Sequence, residues 1–156
     1  MNVDGYLRTQ RILFIALLLT VPMYAAVATL MAQTSQEPPG MPELAREPFA
    51  QPMVLALIVG SIITIGLALF TRTKMFPPRR RGDGARDPKV ALARLRVAEI
   101  LTWALCESIA IYGLILSVLS LEPVFSYAFG GASALAMLLF APSRKLAEEV
   151  VWAASE

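Results

Sequence analysis

Four apolar stretches, residues 12–31, 53–70, 97–119 and 124–141, decide what this chain can fold into. Each is close to the roughly 20 residues that a helix needs to cross the hydrocarbon core of a bilayer. The remaining sequence is too short to cover them from water. Of the 156 residues, 56% are hydrophobic and only 17% are charged, and the mean hydropathy is +0.60. Soluble domains sit near 45–50% apolar and about 25% charged. The expectation is an all-α, four-helix transmembrane bundle that forms a single domain over residues 1–156. The fourth stretch is short and should stand nearly upright.

The connections differ in character. Residues 33–51 are rich in Pro and polar residues and lack a helical apolar period, so they read as a loop. Residues 72–96 are strongly basic, and the third and fourth stretches are joined by little more than "SLEP". Lys and Arg collect in cytoplasmic loops. Of the 14 Lys and Arg, only Arg46 falls in the first or third connection. Arg8 and Arg11 precede the first stretch, Arg144 and Lys145 follow the fourth, and the others fall within 72–96. This asymmetry puts both termini, the 72–96 loop and the 142–156 tail in the cytoplasm, and the expected location is the inner membrane of a bacterium.

A competing reading makes the first stretch a cleaved signal peptide, since it has a basic start, an apolar centre and small residues at Ala26–Ala28. Its apolar run continues to Met31, which is long for a signal, and Pro22 fits a kink in a retained helix. Further on, Asp87 before Pro88 is a helix start, an N-cap followed by Pro at the first helical position. The pattern then runs unbroken to Ser120, roughly 50 Å at 1.5 Å per residue. Its first turns should project into the cytoplasm or lie on the lipid surface. Arg79, Arg80 and Arg81 read either as an orientation signal or as a contact for anionic lipid, worth about 1 kcal/mol per basic residue. After Pro142, Ser143 can cap a short helix with Leu146, Val150 and Ala154 at helical spacing.

The chain has no His and one Cys. That excludes a His-based metal site, a Ser-His-Asp triad, a Cys-His dyad and an internal disulfide. No glycine-rich phosphate loop is present. The expectation is therefore a protein that is not an enzyme, with no cofactor, no metal and no nucleic-acid partner. Its partners would be the bilayer and other membrane subunits or further copies of itself.

Within "LCESIAIYGLIL", Glu107 lies about midway along the third stretch. A charge at that depth costs about 2.5–3.5 kcal/mol on insertion scales, and the protonated acid is the cheaper form. A carboxyl that ionises only on meeting a cation or a water path is a proton carrier. One that keeps its proton in a closed hydrogen bond is glue between helices. Beside it, Thr102, Cys106, Ala110, Gly113 and Ser117 recur at steps of three and four and form a face of small residues, suited to close helix packing. In the fourth stretch Gly130 and Ala134 form a small-xxx-small pair with the same meaning.

The segment "ESIAIYGLIL", Glu107 to Leu116, resembles the second helix of the proteolipid c subunit of rotary ATP synthases and vacuolar-type ATPases. The resemblance implies that Glu107 is an ion-binding carboxylate and that Tyr112 joins its hydrogen bonds. It implies a hairpin with the second stretch, whose Gly60 or Ser61 would lie opposite Glu107 and whose Gly60 and Gly66 would stand for the family's glycine-rich helix. The second stretch has no Gln or Glu to complete a sodium site, so the ion would be H⁺. The chain departs from the family in its two glycines in that stretch, its long 72–96 loop and its extra helix on each side. The function expected is H⁺ binding or translocation through Glu107. The alternative is a small structural or assembly subunit of a membrane complex without transport.

Overall fold

A computed structural model of the chain describes residues 3–34, 51–75 and 88–155. These form five helices and no strand: α1 (Val3–Thr34), α2 (Pro52–Met75), α3 (Pro88–Ser120), α4 (Val124–Leu139) and α5 (Arg144–Ser155). Three of them, α1, α2 and α3, are long and apolar enough to cross a membrane, and α4 with α5 makes a fourth if that bent pair is one span. Asp87, Arg46 and Arg79 to Arg81 lie outside the described residues.

Proline places several of the boundaries. α2 and α3 both start on a proline, which has no N–H to leave unpaired and a φ already set for a helix. α3 ends at a tight corner where Leu121 takes a positive φ of 56°. The Glu122 N–H there donates to Ser120 Oγ. α4 closes when the amides of Phe140 and Ala141 turn back to Met137 and Leu138. Pro142 then stops the helix, because it disfavours helical backbone in the residue before it. α5 departs from α4 at an angle of 42°. Pro22 sits inside α1, which stays a single helix.

The bundle has an aliphatic exterior, and its seams combine small and hydroxyl-bearing residues with larger apolar ones. On α1 the buried Leu7, Phe14, Val21 and Ala28 repeat every seven residues, the period of helices crossing at a shallow angle. The buried row of α2 is Val54, Ser61, Thr64, Ala68 and Thr71. α3 buries Thr102, Cys106, Ala110 and Ser117 beside the larger Leu95, Trp103, Ile109 and Leu116, and α4 buries Gly130, Ser133 and Ala136 beside Phe125 and Met137. Large aliphatic side chains point outward instead: Ile12, Leu19 and Met23 on α1, Ile62 and Ile63 on α2, and Leu135 and Leu139 on α4 are all more than half exposed. Small and hydroxyl-bearing seams inside an aliphatic exterior are what helices adopt when hydrocarbon is the solvent, since association there relies on close packing and hydrogen bonds.

Contacts fix the relative directions. Tyr6 meets Glu99, Phe14 meets Trp103 edge to face at 5.3 Å, and Thr20 meets Glu107, so α1 and α3 run parallel. Trp103 meets Phe140, Cys106 meets Ser133 and Ser117 meets Ser126, so α4 returns antiparallel to α3. α2 is antiparallel to α3 as well, with Val54 beside Leu116 and Gly60 beside Tyr112. α3 is the hub and packs on all four other helices. The starts of α1 and α3 and the helix α5 share one apolar cluster of Tyr6, Leu7, Leu92, Leu95 and Ala147. Every Lys and Arg whose side chain is described lies at this end of the bundle.

Candidate functional site

Glu107 sits on the side of α3 that meets α1, and it is half-buried. Two hydroxyls from α1 converge on its Oε1: Thr20 Oγ1 at 2.7 Å and Tyr24 Oη at 2.9 Å. Thr20 and Tyr24 are four residues apart, so one helical face carries both. Thr20 Oγ1 also lies 2.6 Å from the carbonyl oxygen of Leu17, one turn back on its own helix. A hydroxyl has one proton to donate, and here two acceptors compete for that of Thr20. When Glu107 is ionised, Thr20 and Tyr24 both donate to Oε1. When Glu107 is neutral, its own O–H donates to Thr20, whose proton turns to Leu17. A single rotation about the Thr20 C–O bond thus satisfies either state of the carboxyl.

The residues that the c-subunit resemblance brings forward are placed elsewhere. Tyr112 makes no hydrogen bond to Glu107. Its ring lies by Gly60 on α2, 3.9 Å from where a Cβ would stand. Ser61 is buried, but its hydroxyl donates to Leu57 O of its own helix at 2.8 Å. Gly113 and Gly130 lie at close helix contacts, against Phe129 and Val21 respectively, whereas a Cβ on Gly66 would meet nothing within 4 Å. Ala134 is partly buried against the central core cluster.

A second carboxylate lies on the same seam, eight residues nearer the basic end. Glu99 is only 7% exposed. The Tyr6 hydroxyl donates to its Oε2 at 2.6 Å, and Gln10 Nε2 lies 3.5 Å from that hydroxyl. Gln10 is fully buried, and its Oε1 has no hydrogen-bond partner among the described residues. Arg72, Glu99 and Thr102 border a cavity of about 10 Å³, enough for about one water. Between the two carboxylates stands the apolar pair Phe14 and Trp103. The sequence reading missed this cluster, although a second carboxylate inside the same apolar run was the signal for it. It missed Thr20 and Tyr24 too, whose signal was a hydroxyl pair at an i, i+4 spacing in an otherwise aliphatic helix.

Among the described residues no group of three His, Cys, Asp or Glu is placed to hold a metal ion. Compared with protein-family models, with curated proteins and with solved structures, the chain matches none.

Proposed function

We propose that this chain binds H⁺ within the membrane at Glu107 and hands it on. In this reading it has four spans, with α4 as the last, and it sits in the inner membrane of a bacterium with both termini and the 72–96 loop in the cytoplasm. The gathering of the described Lys and Arg at one end, and the alternating directions of α1 to α4, support that orientation. The packing of α1 along α3 and α4 supports its retention.

One observation carries the proposal. Thr20 is within hydrogen-bond distance of both Leu17 O and Glu107 Oε1, so the site satisfies the carboxyl with and without its proton. A carboxyl that serves only as glue needs one closed arrangement. A carrier needs an arrangement for each state, and a rotatable hydroxyl between two acceptors offers one for each. The c-subunit resemblance points to the same residue for the same task. The difference is that α1 of the same chain completes the site, so the reading does not require a ring of copies. It assigns no catalytic reaction.

The second reading, a structural or assembly subunit, rests on the same two bonds, which tie α1 to α3 across the seam. Proton uptake into vesicles separates the two. The purified chain is reconstituted with a pH-sensitive dye inside, and a potential is imposed. Wild type should acidify the lumen, and Glu107→Gln should not. Tyr24→Phe, which keeps the Thr20 rotation, should retain most of the flux, whereas Thr20→Val should lose it. Equal flux in wild type and Glu107→Gln, with both variants folded, would sink the carrier reading and leave the structural one.

A further inference from the structure

The starts of α1 and α5 enclose an open groove of about 330 Å³, within the range of small-ligand sites. Its upper wall carries Arg8, Arg11 and Arg144 with Asp4, and its floor is Ile12 and Ile15. Arg144 is held in place by Glu148, at 2.6 Å, and by Asp4, at 3.9 Å. Arg8 and Arg11 have no carboxylate partner among the described residues. They stand three residues apart on one face of α1, so both guanidiniums overhang the same space.

We propose that this groove holds the head group of an anionic phospholipid, whose acyl chains run down the outer face of α1. A soluble anion would use the guanidiniums and water and would leave the apolar floor uncovered. Here the groove is cationic only at the top. Below, it opens onto Ile12, Ile15, Leu19 and Met23, each more than half exposed and successive on one helical stripe. That stripe continues the floor without a polar break, so one molecule with a charged head and a hydrocarbon tail covers both. The height is right too, because the guanidiniums lie at the basic end, where a cytoplasmic leaflet would present its phosphates. The inference rests on the membrane reading and not on proton binding, so failure at one leaves the other standing.

The test is native mass spectrometry of the full chain released from detergent. It is loaded with phosphatidylglycerol or with phosphatidylcholine of the same acyl chains. Wild type should retain the anionic lipid selectively. Removing a basic residue near the surface weakens binding by about fivefold, so Arg8→Gln with Arg11→Gln should lower retention about thirtyfold. The single variants, each leaving one guanidinium for orientation, should lower it about fivefold and serve if the pair fails to insert. Lys89→Gln with Arg94→Gln removes the same charge from the same end outside the groove and should leave retention unchanged. Inorganic phosphate should not displace the lipid. Equal retention of phosphatidylcholine would overturn the proposal. So would an equal loss in the Lys89 and Arg94 pair, which would mean diffuse charge, or displacement by phosphate, which would mean an anion site without a lipid.

Discussion

Gly113 lies at a close approach of α3 to α4, and replacing it by Ala should weaken the bundle by a calculable amount. A Cβ built there would lie 2.5 Å from Phe129 Cβ and 2.8 Å from the Phe125 carbonyl oxygen. Carbon atoms rest at about 3.5–4.0 Å. Neither neighbour is the tip of a flexible side chain, so α4 itself must back away from α3. Overpacking of this kind costs about 1–3 kcal/mol, and Ala in place of a helical Gly returns about 1. Gly66→Ala provides the control, since a Cβ there meets nothing within 4 Å. It gains the helix term and pays no clash. The difference between the two variants cancels the helix term and isolates the overpacking, about 1–3 kcal/mol. Equilibrium unfolding in mixed micelles, followed by helix content, measures it. Gly113→Ala should be less stable than Gly66→Ala by that difference. Equal stability of the two would refute the close approach of α3 and α4, and with it the register set by Trp103 and Ser133.

Two further predictions concern the other carboxylate and the orientation. Tyr6→Phe removes the donor to Glu99 and leaves a buried acceptor short of a partner, which should cost about 1–3 kcal/mol in the same unfolding assay; no loss would mean that water already serves Glu99. Cysteines at Gln51 and Lys145 lie at opposite ends of the bundle, and Cys106 is buried. An impermeant thiol reagent on intact cells should therefore label Gln51→Cys and spare Lys145→Cys, and the reverse pattern would invert the topology.

The sequence made the long helices legible because apolar runs bounded by prolines and charges leave little choice. The Pro88 start and Ser120 end of α3 are the ones its unbroken pattern predicts. α1 reaches back to Val3, well before the apolar run at 12, because Tyr6, Leu7 and Gln10 are buried on α3 and α5. Hydropathy cannot see such a mixed segment. α4 stops at Leu139, short of 141, since its last carbonyls are taken by the turn before Pro142. The site was legible only in its carboxylate. Thr20 and Tyr24 are more than 80 residues away in the chain, and matching depths between neighbours in sequence pairs α3 with α2, not with α1. Tyr112 is five residues past Glu107, roughly 140° around a helix of 3.6 residues per turn. It therefore turns to Gly60 and away from the carboxyl.

The arrangement of the seam bears on what any carrier here must do. Glu107 and Glu99 both take hydroxyls from α1, and Phe14 and Trp103 fill the space between them. Aliphatic and aromatic side chains do not pass protons, so no proton path joins the two carboxylates through this pair as packed. The hydrogen bonds of Glu107 all cross to α1 or can be returned to α1 through Leu17. Its hydrogen bonding is therefore coupled to the position of α1 on α3, whereas α2 contributes no hydrogen bond to it among the described residues. Under the proton-binding reading α1 is part of the site, and the α2–α3 hairpin alone is not the functional unit. Under the structural reading the same bonds tie α1 to α3 across the seam. Either way, what Glu107 does is decided at the α1–α3 seam.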